Sequence, residues 1–556
     1  MITPLPAGSL RATSLNAARR ATELERLAGG EVVDLLVVGG GVTGAGVALD
    51  AASRGLTVAL LEAHDLAFGT SRWSSKLVHG GLRYLASGDL GLAHECAVER
   101  GVLMTRTAPH LVRALPQLLP RYEDGNGGAT ATVAGGLLAG DLLRRVALTR
   151  ANVLPGPRRT SAAETMALVP GLRGAGLRGG LLWFDGQLTD DAALVVALAR
   201  TAAGFGARVI TRARVDRLTG SGAEVTDGVT GASVRIRARA VVNATGVWAA
   251  TLAEGIELTP SRGSHLVLDA ATVGLSATAL TVPVPGEPNR YVLVLPAADG
   301  RVYLGLTDEL VTGTIPQVPE VPEHDVDFLL KTASTILARP LTRADVRGSF
   351  AGLRPLLARP PADDAPRVNG TSGRFYRPHV PFTRKRERGR VARGGRSADL
   401  SRRHAVVVGE DGVVTVVGGK LTTYRRMAAD AVDTALATAG IAAGGSRTRE
   451  VPLVGAAPRV TLDRLEPPRR LVARYGTDSL RIAALAELDP ALARPVAPGV
   501  AVTAAEVVWA VRHEGALDVA DVLDRRTRIG LVDADRAAAE PTVAELVARS
   551  LDGVHS

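Results

Sequence analysis

Three kinds of hydrophobic pattern follow one another along the chain. Near the N-terminus, the apolar runs Val32–Val38 and 56–61 flank the stretch 45–54, which is rich in small and apolar residues. Short continuous apolar runs are typical of buried strands, and the stretch between them is helix-like. The pattern therefore predicts a β-α-β unit in this part of the fold.

Alternation and helical spacing dominate the rest of the chain. Between about residues 259 and 352, short segments alternate apolar and polar residues, as the half-buried strands of an antiparallel sheet do. These segments are 264–268, 291–295 and 302–306. Helix-like segments are 191–203 (after the cap residues Thr189 and Asp190), 422–437, 504–511 and 519–523. The sequence thus predicts an α/β fold with an antiparallel sheet and a helical C-terminal region.

Length and composition are those of an ordinary globular protein. A chain of 556 residues exceeds one hydrophobic core, so two or three domains are expected. The first thirty residues do not read as a secretory signal, and the weakly polar run 127–143 is too short for a membrane span. A single cysteine, Cys96, excludes an internal disulfide framework and favours a reducing, intracellular compartment.

Three glycines follow the first predicted strand with the spacing of a dinucleotide-binding turn. Gly39 permits the tight turn, Gly41 lets backbone amides approach a pyrophosphate, and Gly44 lets the helix pack closely on the strand. The helix N-terminus adds free N–H groups and a positive dipole. Glu62, at the end of the second strand, is placed to accept hydrogen bonds from a ribose diol. The unit predicts a dinucleotide site, and it does not choose between FAD and NAD.

A polar loop comes next along the chain, at residues 68–85. It combines Ser and Thr hydroxyls with Lys76, a His-Gly-Gly turn at 79–81, Arg83 and Tyr84. Hydroxyls in this position could wrap the pyrophosphate and the flavin ring of a bound dinucleotide. Arg83 would supply a planar, permanently charged donor for an anionic substrate.

The segment GTSRWSSKLVHGGLRYL at 69–85 resembles the signature of FAD-dependent glycerol-3-phosphate dehydrogenases. Later segments resemble further motifs of that family, in the same order along nearly the whole chain. They are VNATGVW (242–248), RGSH (262–265), GLTD (305–308), GLRPL (352–356), GGKLTTYR (418–425), RHEGA (512–516) and DVLDRRTR (521–528).

This resemblance implies oxidation of sn-glycerol 3-phosphate to dihydroxyacetone phosphate with hydride transfer to FAD, and no metal. The substrate cleft would be lined by Arg83, Tyr84, His265, Arg354, Arg402 and Lys420, with His265, Arg354 and Lys420 as the candidate catalytic residues. The implied FAD contacts are Gly39, Gly41, Gly44, Glu62, Thr70, Ser71, Ser74, Ser75, Lys76, Gly80, Gly81, Thr245, Gly246, Gly418, Gly419, Lys420, Leu421 and Thr422.

The reaction also needs a group that handles the proton of the C2 hydroxyl. His265 is the candidate base, because an imidazole titrates near neutral pH. An arginine or Lys420 could instead stabilise the developing alkoxide while solvent takes the proton. Lys420 could also be a flavin contact, His265 a core histidine, and Arg83 and Arg354 members of structural ion pairs.

The same resemblance implies three domains. A Rossmann-type FAD-binding domain, like those of glutathione reductase and D-amino-acid oxidase, would join an antiparallel β substrate domain and a helical C-terminal domain. The expected bounds are 1–30 for an N-terminal extension, 31–258 with 405–440 for the FAD domain, 259–404 for the substrate domain and 450–556 for the C-terminal domain. The tail arginines Arg512, Arg525, Arg526 and Arg528 are expected to make interdomain contacts.

The net charge of +10 is concentrated in a segment that departs from the family pattern. Between Arg374 and Arg396, nine basic residues face only Glu387, so this stretch carries +8. It belongs to an apparent insertion at about 361–396 that lacks helical or strand periodicity. Three interpretations stay open: a solvated insertion, an element that binds anionic lipid or nucleic acid, and a gene-model artefact. The insertion could also displace Arg402.

Family members act as peripheral proteins on the inner face of the cell membrane and pass electrons to a membrane quinone. The resemblance therefore implies a cytoplasmic, membrane-associated enzyme with no nucleic-acid partner. A related oxidase that uses oxygen and a catalytically weakened flavin-binding homologue are the alternatives. The sequence does not determine the oligomeric state, and a homodimer is among the states that remain open.

Overall fold

The structure, a computed structural model, describes residues 10–81, 84, 89–123, 127–287, 290–357 and 403–555. In chain order, the strands of these residues are β1 Val32–Val38, β2 Val58–Leu61, β3 Leu77–Val78, β4 Val112–Tyr122, β5 Arg158–Thr160, β6 Leu177–Leu188, β7 Arg208–Ile210, β8 Ala213–Thr219, β9 Gly222–Asp227, β10 Ser233–Asn243, β11 Ser261–Asp269, β12 Ala279–Pro283, β13 Tyr291–Pro296, β14 Arg301–Gly305, β15 Glu309–Leu310, β16 Val346–Arg354, β17 His404–Val408 and β18 Val414–Gly418.

The α-helices of the same residues pack around and beyond these strands. They are α1 Leu10–Thr13, α2 Ala17–Ala28, α3 Val42–Ser53, α4 Leu90–Val102, α5 Gly127–Val146, α6 Ala162–Leu168, α7 Asp191–Gly204, α8 Ala249–Leu252, α9 Ala270–Val273, α10 Glu323–Ser334, α11 Tyr424–Ala439, α12 Arg459–Leu462, α13 Arg469–Tyr475, α14 Ser479–Leu488, α15 Ala504–His513, α16 Val519–Asp521 and α17 Asp533–His555. Among these helices, none combines the length and the apolar character that crossing a bilayer requires.

The first sheet has a parallel centre in the order β18-β10-β1-β2-β7. Antiparallel β17 forms one edge, and the β8–β9 pair extends from β10. A parallel sheet must be covered on both faces, which explains why β2 is entirely apolar and β1 is apolar apart from Asp34. Helix α3 packs on α7 and α11, where Gly46 lies against the ring of Tyr424. The predicted β-α-β unit is therefore the centre of this sheet.

The second sheet follows the order β15-β11-β14-β13-β12-β4-β6-β3, with β16 paired to β11 and β5 to β6. Its pairs are antiparallel except for β12 with β4. The long strands β4 and β6 come from within residues 31–258, which the sequence had assigned wholly to the FAD domain. The two strands pair with each other, from Val112 opposite Leu188 to Tyr122 opposite Leu177, and β4 also pairs with β12. Both strands therefore belong to the second sheet. Their sequences do not carry the clean alternation that identified the later strands, because much of β6 is buried on both faces.

The region after residue 450 is helical and has its own apolar core, with Val507, Val511, Val522 and Val543 buried in it. It contacts the first sheet through a buried cluster of charges. Arg525 and Arg526 both donate to Asp65, which lies shortly after β2. The expected interdomain role of these two arginines is thereby confirmed.

Candidate active site

The glycine turn after β1 has the geometry that a dinucleotide pyrophosphate needs. Gly39 has φ +109°, which favours glycine, and Gly41 precedes the first turn of α3. A Cβ on Gly44 would overlap the carbonyl oxygen of Gly39, so only glycine allows the helix to approach the strand this closely. Ser71 reaches the same helix end, where its Oγ accepts from the amide of Val42 at 2.9 Å.

Glu62 lies at the carboxyl end of β2, next to this turn. Its Oε2 accepts from the Gly40 amide at 2.6 Å, and its Oε1 accepts from the His64 amide at 2.8 Å. Burial raises the pKa of Glu62, and these two amide hydrogen bonds oppose that rise. The carboxylate is thus held rigidly beside the turn, where a ribose diol could be recognised.

The loop between Thr70 and Lys76 links the first sheet to the second. The Thr70 hydroxyl donates to the Leu353 carbonyl at 2.7 Å, close to Arg354. Ser74 and Lys76 both engage Asp191 at the start of α7, with 2.7 Å from Ser74 Oγ and 3.4 Å from Lys76 Nζ to Asp191 Oδ2. Burial lowers the pKa of Lys76, which is 2% exposed and has φ +56°. The polar atoms of Ser74 and Lys76 are therefore already occupied by the protein.

His265 is buried on β11 between the loop and β16. Its Nε2 lies 2.9 Å from Ser75 Oγ, and its ring stacks on Phe350 with 4.6 Å between centroids. Its Nδ1 makes no hydrogen bond within the described part of the chain. Burial, reinforced by the charges of Lys76 and Arg354, lowers the pKa of His265 well below its ordinary value. The imidazole is consequently neutral at physiological pH.

Arg354 lies at the end of β16. It is paired with Ser261 of β11, the strand that also carries His265. Its Nη1 donates to Ser261 Oγ at 3.1 Å and to Asp308 Oδ1 at 3.2 Å, while Nη2 donates to the Thr307 carbonyl at 3.2 Å. The guanidinium leaves no room for a Cβ on Gly263. Residues two apart on a strand share a face, so Ser261, Gly263 and His265 lie on one face of β11. Arg354 is paired with Ser261 and therefore lies on the same side of the sheet as the imidazole.

Lys420 and Tyr84 meet in a second group of predicted residues. Lys420 Nζ lies 3.5 Å from the centroid of the Tyr84 ring and 3.2 Å from Cys96 Sγ. Burial raises the pKa of Cys96, and the ammonium of Lys420 opposes that rise. The thiol therefore stays protonated at neutral pH.

The remaining predicted cofactor residues lie in three turns. Gly80 and Gly81 follow β3, and the Gly80 amide donates to Asp185 Oδ1 at 3.1 Å. Thr245 and Gly246 follow β10, and Thr245 Oγ1 donates to the Asn243 side chain at 2.6 Å. Gly418, Gly419, Leu421 and Thr422 surround Lys420 between β18 and α11. Gly419 has φ +72°, a backbone conformation that favours glycine, and a Cβ there would also meet the end of the Met427 side chain of α11.

Several residues that hold the site residues in place were not identified from the sequence. Arg100 Nη1 donates to Asp185 Oδ1 at 2.7 Å, so this buried pair braces Gly80. Asp308 was noticed only as part of the GLTD motif, and it anchors Arg354. Phe350 carried no signal, because an apolar residue on a strand gives no hint that it stacks on a histidine. Arg83, Arg402 and the insertion 361–396 lie outside the described residues.

Comparisons with known proteins agree with this geometry. The model of the family "FAD dependent oxidoreductase" matches residues 34–425, and that of the "C-terminal domain of alpha-glycerophosphate oxidase" matches 446–552. "Glycerol-3-phosphate dehydrogenase 1" of Mycobacterium tuberculosis is 49% identical over 539 residues, covering 96% of this chain and 99% of the relative. "Glycerol-3-phosphate dehydrogenase 2" of the same organism is 36% identical, covering 95% and 87%.

A solved structure shares the whole fold. The glycerol-3-phosphate dehydrogenase of Bacillus halodurans, solved in complex with FAD, matches with a TM-score of 0.70 over 97% of each chain, at 24% identity. Together with the two-sheet architecture, this match confirms the predicted fold class.

The glycine turn, the rigid acid beside it and the family match define an FAD-dependent oxidoreductase. FAD fits the site, because the turn is built to admit a pyrophosphate. Within that class, the chain belongs to the family of the FAD-dependent glycerol-3-phosphate dehydrogenases.

Proposed function

We propose that the protein oxidises sn-glycerol 3-phosphate to dihydroxyacetone phosphate. The observation that carries the proposal is the position of His265 on β11, the strand that also anchors Arg354 through Ser261; the Nε2 of His265 lies 2.9 Å from Ser75 Oγ. A base and a fixed cation on one face suit an alcohol that carries a phosphate. The relatives with 49% and 36% identity are named as dehydrogenases of this substrate.

Bound FAD supplies the hydride-accepting chemistry in this reaction. Gly39, Gly41, Gly44 and Glu62 would hold its dinucleotide part, and the turn around Lys420 would contact the flavin end. The protein must then bind the phosphate, orient C2 and remove the hydroxyl proton.

The lowered pKa of His265 keeps the imidazole unprotonated before the reaction, and it also makes the imidazole a weaker base, so the proposed role rests on its position. The 2.9 Å contact with Ser75 and the stacking on Phe350 orient the ring. Proton acceptance by a positioned imidazole contributes roughly 10²- to 10⁴-fold to a rate.

Arg354 and Lys420 provide positive charge for the substrate phosphate and for negative charge that develops on the C2 oxygen. Arg354 is pre-oriented by Asp308, Ser261 and the Thr307 carbonyl, so little conformational entropy is lost when an anion binds. Lys420 is positioned over the Tyr84 ring. Arg83 and Arg402 are proposed as further phosphate ligands on the family resemblance alone.

A membrane quinone is proposed as the electron acceptor, with the protein bound to the lipid surface through α5. Leu138, Leu142 and Val146 follow each other at four-residue spacing on this helix and are 67%, 62% and 56% exposed. Leu148, just beyond, is 85% exposed, and the Arg145 side chain is 70% exposed. An apolar stripe with a basic residue beside it suits insertion among anionic head groups.

A dye-coupled assay with the flavin-loaded protein tests the substrate and the acceptor. Turnover with sn-glycerol 3-phosphate and an artificial acceptor, and none with glycerol, is the expected result. Faster turnover with a soluble quinone analogue than with oxygen alone supports the dehydrogenase, whereas the reverse order identifies an oxidase. Flavin-loaded protein that oxidises no sn-glycerol 3-phosphate with any of these acceptors would contradict the proposed reaction.

Vesicle flotation tests the lipid surface. Wild-type protein should float with anionic vesicles, and the double variant Leu138→Gln, Leu142→Gln should stay at the bottom of the gradient. Leu488→Gln is the matched control. Leu488 is also a highly exposed leucine, at 84%, but it lies on α14 in the C-terminal domain and not on α5. Unchanged flotation of the double variant would contradict the role of α5.

A further inference from the structure

Three side chains with metal-binding groups converge on the side of β11 opposite His265. Glu309 lies on β15, and His324 and Asp325 lie in the first turn of α10. One ligand atom from each lies within 4.8 Å of the others. We propose that Glu309, His324 and Asp325 bind a divalent transition-metal ion of the zinc type.

Two of the three separations between these ligand atoms suit a shared ion, and the third is at most 4.8 Å. His324 Nε2 lies 3.1 Å from Glu309 Oε2 and 3.4 Å from Asp325 Oδ1. Ligands placed tetrahedrally around zinc, at bond lengths of about 2.0–2.1 Å, lie roughly 3.3 Å from each other. One imidazole and two carboxylates favour Zn²⁺, Co²⁺ or Ni²⁺ over Mg²⁺ and Ca²⁺, which prefer oxygen ligands alone.

Asp325 gives an independent reason to expect a cation. Its residue is 1% exposed, and its Oδ2 accepts from Ser264 Oγ at 2.5 Å and from Thr307 Oγ1 at 3.2 Å. Its Oδ1, which faces His324, accepts no hydrogen bond from any described residue. A buried carboxylate oxygen without a donor is costly, and a bound cation would remove that cost.

Two features of the cluster oppose a cation and limit the affinity. Arg262 lies 3.2 Å from Glu309 Oε2 and 3.3 Å from Asp325 Oδ2, and the N-terminal end of α10 carries a positive partial charge. Two carboxylates against one guanidinium still leave a net negative charge when His324 is a neutral ligand. The His324 side chain is 64% exposed, so an ion has a route from solvent and room for water as a further ligand.

Calorimetric titration of ZnCl₂ into untagged, flavin-loaded protein tests the site. We expect one saturable equivalent, with binding at least tenfold weaker in His324→Gln and in Glu309→Gln. His94→Gln is the matched control, since His94 is exposed on α4 and should leave the titration unchanged. The flavin spectrum of each variant verifies that it is folded.

A second readout uses CoCl₂, whose visible bands report coordination by nitrogen and oxygen. The difference spectrum between wild-type protein and His324→Gln should contain bands of low-coordinate Co²⁺. No saturable zinc binding in the wild-type protein, or the same titration in His324→Gln, would overturn the proposal.

Discussion

At the scale of single residues, the site depends on side chains whose ionisation and orientation are set by their neighbours. His265 is neutral because it is buried beside two cations, and Arg354 is fixed because three acceptors hold it. Neither property can be derived from the RGSH and GLRPL motifs, which give only the residue types. The motifs did identify the two residues, and the two strands on which they lie are neighbours in the sheet.

Replacing the imidazole by a group of similar size that cannot take a proton should separate catalysis from cofactor binding. His265→Asn is expected to lower kcat by roughly 10²- to 10⁴-fold while the flavin stays bound. Steady-state kinetics with the dye acceptor measure the loss, and visible absorbance measures the flavin. A kcat within threefold of wild type would show that solvent or another group takes the proton.

The pH dependence follows from the same pKa shift. A lowered pKa means that His265 becomes protonated only well below its ordinary range, so the base stays active as the pH falls through 6.5. We expect kcat/KM to show no acidic inflection from His265 near pH 6.5. An inflection at that pH that disappears in His265→Asn would contradict the neutral, desolvated imidazole.

Arg354→Lys keeps the charge and removes the planar fork that Asp308 and Ser261 orient. A hydrogen bond to a charged group is worth about 1.5–3 kcal/mol, so KM for glycerol 3-phosphate should rise roughly 10- to 100-fold. Arg347→Lys, on the exposed part of the same strand, is the control and should leave KM unchanged. An unchanged KM in Arg354→Lys would mean that Arg354 is only a structural partner of Asp308.

Among the helices and strands, the sequence pattern was easiest to interpret where an element is buried on one face only or on all sides. β1 agrees with its predicted bounds, and α7 begins at Asp191 after the expected Asp190 cap. The strands β4 and β6 could not be assigned to the second sheet, because pairing between strands distant in sequence is decided by packing rather than by local pattern. For the same reason, the sequence did not reveal the ion pair between Arg100 and Asp185, whose carboxylate accepts from the Gly80 amide.

The close approach of α3 to β1 gives a test at this scale. Gly44→Ala should force the helix away from the Gly39 carbonyl, with a cost of about 1–3 kcal/mol and a lower FAD-to-protein ratio. Gly135→Ala is the control, because a Cβ there has open space on α5 and should be neutral or stabilising by up to about 1 kcal/mol. Full flavin content in Gly44→Ala would contradict the fingerprint role of this glycine.

At the scale of the whole molecule, the C-terminal domain is joined to the FAD-binding sheet by buried charge. Asp65 accepts from Arg525 and Arg526, and although burial favours its neutral form, these arginines lower the pKa of Asp65 to about 2. The tail arginines were recognised from the sequence as interdomain residues, but their acidic partner was not. Asp65 lies about 460 positions away in the chain, and no local pattern marks it.

Asp65→Asn should therefore weaken the junction strongly. Removing one partner of a buried ion pair costs about 3–5 kcal/mol. Here Arg526 loses the carboxylate that both of its terminal nitrogens contact, while Arg525 keeps Asp521. Urea denaturation measures the change, and Asp518→Asn is the control, as its side chain is 52% exposed beside Arg212. Equal losses in the two variants would contradict a specific role for Asp65.

The same carboxylate makes the wild-type junction sensitive to acid. Since the folded-state pKa is lower than the unfolded value, the contribution of Asp65 is present above about pH 4 and is lost as the pH falls towards 2. Burial raises the pKa of the neighbouring Asp521 to about 6, so its protonation occurs before this loss begins. Asp65→Asn should lose less stability than the wild type between about pH 4 and 2, although Asp190 also titrates there, and acid-unfolding curves would detect the difference.

The central claim, that this flavoprotein takes a hydride from sn-glycerol 3-phosphate, is tested most directly by anaerobic titration of the flavin-loaded protein. We expect sn-glycerol 3-phosphate to bleach the oxidised flavin with formation of dihydroxyacetone phosphate, whereas glycerol should not bleach it and His265→Asn should bleach far more slowly. A yellow protein that stays yellow with excess sn-glycerol 3-phosphate would show that this compound is not the hydride donor.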